Sequence, residues 1–132
     1  MTTLLAVTGL SPAIVTETLW ALAKRKPRVL PERVAFITTA TGALKLEEQL
    51  FTPRPDWAGL SVWEALRTAL GAGPDELIAE PPHVISIPDP GSGRAVQLDD
   101  IRTPAENQAA AEFIFARVWD SVRDKDLSLI HI

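Results

Sequence analysis

The feature that most constrains this chain is a short apolar run that leads directly into a helix start. Leu4 to Val7 is continuously apolar, as expected of a strand buried on both faces. Thr8-Gly9-Leu10 ends the run, Ser11 is a favoured N-cap residue, and Pro12 suits the first helical position, where its missing N–H costs nothing. A strand followed at once by a helix opens a βαβ unit, so the sequence predicts a parallel sheet.

The same alternation of strand and helix patterns continues along the chain. The further predicted strands are 33–38, 83–87, 95–98 and 127–132, and the predicted helices are 12–26, 43–51, 57–70 and 104–123. Residues 75–82 are expected to be irregular, and residues 88–93 to form a turn. The predicted fold class is therefore α/β, with a mostly parallel sheet and helices on both faces.

Each long helix carries an apolar stripe that is expected to be buried. The stripes are Ile14, Val15, Thr18, Leu19 and Leu22 in the first helix, Leu60, Trp63, Leu66 and Leu70 in the third, and Ala111, Ile114, Phe115, Val118 and Val122 in the last. The last helix has the strongest start signal, because Thr103-Pro104-Ala105-Glu106 is a capping box with proline at its first helical position.

Composition narrows the function classes. The chain has 132 residues, which suits one domain, and its 46% hydrophobic content argues against disorder. It has no cysteine, which excludes thiol chemistry, disulfides and iron–sulfur clusters, and its two histidines leave little room for a metal site, so no metal and no cofactor is expected. The net charge of -4 argues against binding long nucleic acid by charge. No apolar run approaches the roughly 20 residues of a membrane span, and the N-terminus lacks a targeting signal, so a cytoplasmic protein is expected.

The turn at residues 8–12 is the first candidate site. Ligands of open parallel sheets bind beyond the carboxyl ends of strands, and the free N–H groups of a helix start attract anions. Three other interpretations compete with a ligand site. Ser11 can simply cap the helix. Gly9-Leu10-Ser11-Pro12-Ala13 nearly fits a nucleophile elbow, although the acid and histidine expected downstream are lacking, and the glycine pattern of a dinucleotide fold is absent.

Three blocks of sequence carry a resemblance to a known family. They are 4–12 with Val15-Thr16-Glu17-Thr18-Leu19, then Ile37-Thr38-Thr39-Ala40-Thr41-Gly42-Ala43, and then Asp100-Ile101-Arg102-Thr103-Pro104-Ala105-Glu106-Asn107. In this order they resemble the CRISPR-associated ring nucleases, single-domain relatives of the CARF sensors of type III systems. Residues 53–82 show no such resemblance. The resemblance implies a Rossmann-like CARF fold.

The resemblance also implies a function. Members of this family bind cyclic oligoadenylate, usually cyclic tetra-adenylate, across the twofold axis of a homodimer. Some cleave it without a metal, by attack of a ribose 2′-OH on the adjacent phosphorus, and so switch off antiviral signalling. The alternative is a non-catalytic CARF sensor that binds the same ligand and regulates an effector domain absent from these residues. An effector ribonuclease is not expected, because the R-x4-6-H pair of such domains is missing.

By the same resemblance Ser11 is the expected catalytic residue, and Gly9 and Leu10 offer backbone to the phosphate. Further ligand contacts are expected from Thr38, Thr39, Arg102 and Asn107. Each has a plainer interpretation: the threonines as ordinary strand-end residues, Arg102 in an ion pair with Asp99 or Asp100, and Asn107 facing water. The tryptophans Trp20, Trp57, Trp63 and Trp119 are interpreted as core or dimer contacts rather than base-stacking groups, and His83 as structural.

The last residues depart from the family. Its members continue after the final strand into a lysine-bearing turn, whereas no lysine follows Lys125 here. The expectation is a chain truncated at the C-terminus, with weak or no cleavage by these 132 residues. Residues 127–132 also match the translation of a transposon-end adapter, CTG TCT CTT ATA CAC ATC. Two segments are therefore expected: a partial ring-nuclease domain over 1–126, and over 127–132 either an adapter-derived tail or the start of the final strand.

Overall fold

In the computed structural model, which describes residues 2–89, 91–122 and 128–131, helices alternate with strands along most of the chain. The main sheet contains β1 (Thr2–Val7), β2 (Arg33–Thr38), β3 (Ile78–Ala79), β4 (His83–Val84) and β7 (Ser128–His131). Its order is β3-β2-β1-β7, and β4 also pairs with β2, further along the same edge. Every pair in this sheet is parallel, with Leu4 opposite Val34 and Leu5 opposite His131. The predicted α/β class with a mostly parallel sheet is confirmed.

The helices cover both faces of the sheet. They are α1 (Ala13–Ala23), α2 (Ala40–Leu46), which continues into a π-helical turn at Glu47–Phe51, α3 (Val62–Ala69) and α4 (Pro104–Val122). Residues at even positions of β1 and β2, such as Leu4 and Phe36, pack against α1, α2 and α3. Residues at odd positions, such as Leu5 and Ile37, pack against α4 and the strands near it. This division follows from the alternation of side chains along a strand.

Several predicted boundaries differ from those in the structure. The expected helix 57–70 is a 3-10 turn at Pro55–Trp57 followed by α3, because Ala58 and Gly59 adopt positive φ and interrupt it. Ser61 starts α3 instead, and its hydroxyl accepts the N–H of Glu64. Leu60 is consequently outside the helix and 37% exposed, which corrects its placement in a buried stripe.

The predicted strand 83–87 is divided between two sheets. Ile85 donates its N–H to Thr38 and accepts the N–H of Leu98, so the chain changes partner at this residue. Before it, β4 pairs with β2; after it, β5 (Ser86–Pro88) pairs antiparallel with β6 (Ala95–Gln97). Residues 75–82, expected to be irregular, contain β3, which is too short to leave a periodic pattern.

The buried face of α4 also differs from the prediction. Ala110 is buried, and Phe113, Ile114 and Val118 pack partly buried against the sheet. Ala111 and Phe115, expected to be buried, are exposed. The predicted and the observed buried residues both have helical spacing, so periodicity alone could not decide which of two faces, one residue apart, is buried. The side chain of Val122 lies outside the described part of the chain. In α1, Val15, Leu19 and Leu22 are buried as predicted, whereas Ile14 is half exposed.

Candidate functional site

Three loops meet at the carboxyl edge of the main sheet. Parallel strands bring their carboxyl ends to one edge, so the β1–α1 turn (residues 8–12) and the β2–α2 turn at Thr39 lie side by side. A Cβ at Gly42 would lie 3.0 Å from the carbonyl oxygen of Gly9 and closer still to Thr38 Oγ1, so the two turns are in direct contact. The third loop, after β6, contacts the start of α2, where the carbonyls of Leu98 and Asp99 accept the N–H groups of Ala40 and Thr41.

The order of the strands singles out the β1–α1 turn. The chain passes from β1 to β2 on one side, whereas β7 lies on the other side of β1. In open parallel sheets, ligands bind in the crevice where the strand order reverses, outside the carboxyl ends of the strands. Here that place is the end of β1, where residues 9–11 lie.

The N–H groups of the first three residues of α2 are occupied by the chain itself. The N–H groups of Ala40 and Thr41 donate to the carbonyls of Leu98 and Asp99, at 2.7 and 3.2 Å. The N–H of Gly42 donates to Thr39 Oγ1 at 3.1 Å. The start of α2 therefore has no N–H group free for a ligand.

The donors of the β1–α1 turn are free by contrast. The N–H of Thr8 still donates to Ile37. Beyond it, the N–H groups of residues 9–11, Ala13 and Ile14 have no acceptor among the described residues. Gly9 leaves open space above them, because a Cβ built there would meet nothing within 4 Å. These exposed donors suit an anion such as a phosphate.

Ser11 does not cap the helix. The helix α1 begins at Ala13, with Pro12 in the cap position, and its first turn closes by a hydrogen bond from the Val15 N–H to the Pro12 carbonyl. The side chain of Ser11 is exposed, and its hydroxyl has no hydrogen bond to any residue that the structure describes. The capping interpretation of Ser11 is therefore wrong, whereas Pro12 has helical backbone angles, φ -67° and ψ -13°, one residue before the assigned start of α1. Leu10 beside it is 53% exposed.

Thr38 and Thr39 have roles within the chain. Thr38 is completely buried and donates its hydroxyl to the Thr8 carbonyl at 2.8 Å, which ties the ends of β1 and β2 together. Thr39 is 6% exposed and caps α2 through Gly42. Their expected ligand contacts stay predictions, but both hydroxyls already have a partner.

Arg102 and Asn107 lie on the exposed side of the third loop. Arg102 Nε is 3.8 Å from Asp100 Oδ2, and its side chain is 75% exposed, so the ion pair is solvated and leaves the guanidinium accessible. Asn107 is exposed in the first turns of α4, and its N–H donates to the carbonyl of Thr103. Both stay predictions as ligand contacts.

Thr8 was not singled out from the sequence. Its side chain is 6% exposed, and its hydroxyl has no hydrogen-bond partner among the described residues. A buried hydroxyl without a partner is costly, and here it lies in the residue that begins the β1–α1 turn. A threonine at a strand end leaves no signal of this kind in the sequence, because only packing decides whether its hydroxyl is buried.

The aromatic side chains divide between core and surface. Trp63 is 5% exposed and packs against Phe36 and Phe51, and its Nε1 donates to the Leu77 carbonyl at 3.2 Å. It is a core residue. Trp20, Trp57 and Trp119 are each more than two-fifths exposed, so they are not core residues.

No group of acidic, histidine or cysteine side chains suited to a metal ion occurs among the residues that the structure describes. In the same part of the chain, no helix has the length and apolar character needed to cross a membrane. Comparison with known proteins finds no matching family model, no matching curated protein and no matching solved structure.

Proposed function

We propose that this chain binds cyclic oligoadenylate, most favourably cyclic tetra-adenylate, and cleaves it as a ring nuclease of type III CRISPR signalling. The observation that carries the proposal is the β1–α1 turn, where unpaired N–H groups and the exposed Ser11 hydroxyl lie at the point where the strand order reverses. The neighbouring turn has the same strand-to-helix form, but the N–H groups of Ala40, Thr41 and Gly42 there already have acceptors within the chain. This difference supports an anion site at the first turn rather than at helix starts in general.

The proposed chemistry needs no metal. The 2′-OH of one ribose loses its proton and attacks the adjacent phosphorus in line, the P–O5′ bond breaks, and O5′ takes up a proton. The products are a 2′,3′-cyclic phosphate and a 5′-hydroxyl. The free N–H groups of residues 9–11 and the Ser11 hydroxyl donate to the phosphoryl oxygens, where negative charge grows in the transition state.

Two further parts of the proposal concern the whole molecule. The described α/β sheet is proposed to be a Rossmann-like CARF domain in the cytoplasm, and two copies are proposed to share one ring. Titration calorimetry checks the second part, with an expected stoichiometry of one ring for two chains.

The Ser11→Ala variant tests the proposal. With the protein in excess over radiolabelled cyclic tetra-adenylate, and with a protein-free reaction as background, we expect single-turnover cleavage to slow by about 10²-fold or more, because a donor to the developing charge is lost. Binding, measured by calorimetry, is expected to change much less, since the backbone donors remain.

The matched control is Ser92→Ala. Ser92 is also an exposed turn serine, but its hydroxyl donates to Asp89 in the β5–β6 hairpin, so its loss should leave both measurements unchanged. Failure of the unaltered chain to bind cyclic tetra-adenylate would overturn the proposal. Binding with no turnover in any form of the protein would identify the alternative, a CARF sensor.

A further inference from the structure

A basic segment, residues 24–28, follows α1 at the edge of the sheet opposite the β1–α1 turn. Lys24, Arg25, Lys26 and Arg28 are four of the chain's 13 cations. The rest of the chain has nine cations against 17 acids, so the segment is strongly positive in an otherwise acidic protein. Since α1 has 11 residues, a rise of 1.5 Å per residue places the segment about 16 Å from the β1–α1 turn.

The chain does not neutralise these four cations. All four are exposed, and no ion pair among the described residues includes any of them. The nearest acids along the chain, at positions 17 and 32, lie outside the segment. A helix end attracts cations, which accounts for Lys24 at the end of α1, but Lys26 and Arg28 lie beyond it. An anionic partner would relieve the repulsion between these neighbouring charges.

An exposed tryptophan lies one helical turn before the basic segment. The Trp20 ring is 43% exposed, and Lys24 Nζ lies 4.5 Å from its centre. With Leu66, Trp20 also lines a surface depression of about 360 Å³. The tryptophan therefore adds an aromatic surface to the cations.

A second exposed tryptophan shows that this combination is not general on the surface. Trp57 is 41% exposed, and Arg54 Cζ lies 5.0 Å from its ring centre. Arg54 Nε is also 4.0 Å from Asp56 Oδ1, so the cation at Trp57 has a carboxylate partner. The cation at Trp20 belongs instead to a group that has no such partner among the described residues.

An exposed aromatic ring beside unpaired cations fits single-stranded nucleic acid. Its phosphates carry closely spaced negative charges, and its unpaired bases stack on aromatic side chains. An anionic bilayer fits less well, because the Glu17 carboxylate also lines the depression beside Trp20 and would be repelled by the lipid headgroups. The exocyclic amine of a cytosine base can instead donate to that carboxylate.

We propose that Trp20 and the basic segment bind a short single strand of nucleic acid, with its phosphates on the cations and one base on Trp20. The surface lies at the opposite end of α1 from the β1–α1 turn, so the inference does not depend on the proposed function. It is compatible with the net charge of -4, because a short strand interacts with the local charge and not with the whole chain.

Fluorescence anisotropy of a short labelled oligocytidylate, as RNA and as DNA, tests the proposal on the 132-residue chain. With four phosphates contacted, the logarithm of the association constant should fall against that of the salt concentration with a slope of about -3. Arg25→Gln combined with Lys26→Gln should weaken binding about 25-fold at about 0.1 M salt, because each contact with a single strand contributes about fivefold there.

The matched control is Lys45→Gln combined with Arg94→Gln. It removes the same amount of positive charge outside the basic segment, so it should leave binding within about twofold of the unaltered chain. Equal weakening in the two charge variants would show that the net charge, and not the basic segment, attracts the strand, and it would overturn the proposal.

The tryptophans provide a second comparison. Trp20→Ala should weaken binding about fivefold or more, because a base loses its stacking partner, whereas Trp20→Phe should retain most of the affinity. Trp57→Ala should leave binding unchanged. Circular dichroism checks that each variant is folded, and a folded Trp20→Ala variant with unaltered affinity would overturn the assignment of the base to Trp20.

The remaining outcomes concern other partners. Binding of either the RNA or the DNA strand that depends on Arg25 and Lys26 supports the proposal, and tighter binding of a duplex than of a single strand overturns it. Cosedimentation with phosphatidylglycerol vesicles, or binding of polyglutamate, without binding of either strand would assign the surface to a membrane or an acidic protein and overturn the proposal as well.

Discussion

Two buried threonines in neighbouring strands differ in what their hydroxyls contact. Thr38 in β2 donates to the Thr8 carbonyl, whereas the Thr3 hydroxyl in β1 has no partner among the described residues. Both side chains are buried, with at most 6% exposure each. Comparing the two sites contrasts a buried hydroxyl that has a partner with one that has none among the described residues.

Replacing each with valine keeps the shape and removes the hydroxyl. We expect Thr38→Val to lower the free energy of unfolding by about 1–3 kcal/mol, because the buried Thr8 carbonyl loses its donor. Thr3→Val should be neutral or stabilising, because an unpartnered hydroxyl no longer has to be buried. Urea denaturation measures both, and an equal loss in the two variants would contradict the assignment of Thr38 as the tie between strands.

For single residues, the sequence predicted local turns well, but it predicted poorly which atoms a side chain contacts. The turn at 8–12 between a strand and a helix follows from local patterns. Whether Ser11 caps α1, and whether Thr38 faces a ligand or a carbonyl 30 residues away in the chain, depends on where other strands lie. Such partners are distant in sequence, so no local pattern encodes them.

The start of α4 is the element that the sequence predicted best. Thr103 Oγ1 accepts the N–H of Glu106 at 3.1 Å, and the Glu106 carboxylate accepts the N–H of Arg102 at 3.1 Å. This is the reciprocal arrangement of a capping box, closed one residue earlier than the usual N-cap N–H. It holds α4 next to the loop that covers the start of α2.

Thr103→Ala should therefore lower the free energy of unfolding by about 1 kcal/mol, the usual value of an N-cap. Thr68→Ala is the matched control, because Thr68 is exposed inside α3 and its hydroxyl only returns a hydrogen bond to the Glu64 carbonyl of the same helix. Its loss should be neutral or slightly stabilising, since alanine favours the helix. Thermal unfolding followed by circular dichroism compares the two variants. A larger loss of stability in Thr68→Ala than in Thr103→Ala would contradict the assignment of Thr103 as the N-cap.

For the molecule as a whole, the decisive feature is a parallel sheet covered on both faces. Phe36 lies in the larger of the two cores, completely buried, with ring contacts to Phe51 and Trp63. Phe115, on the outer face of α4, is 68% exposed and stacks on Trp119, at 6.3 Å between ring centroids.

The two phenylalanines test this architecture. We expect Phe36→Ala to cost about 3–5 kcal/mol, because it leaves a cavity among fixed neighbours. Phe115→Ala should stay within about 0.5 kcal/mol of the unaltered chain, as for other surface substitutions. Guanidinium denaturation measures both. A large loss of unfolding free energy in Phe115→Ala would instead support the prediction from periodicity that Phe115 lies on the buried face of α4.

By itself, the sequence determined the α/β class, the order of the main elements, the β1–α1 turn and the capped start of α4, because each rests on patterns within about ten residues. Tertiary structure alone decided the rest. Strand pairing placed β7 beside β1 and so put the reversal of strand order at Gly9 and Ser11. It also occupied the N–H groups of Ala40 and Thr41 with carbonyls from residues 98 and 99, while leaving those of residues 9–11 without an acceptor among the described residues. These hydrogen bonds join residues that are far apart in the chain, and only the packed sheet brings them together.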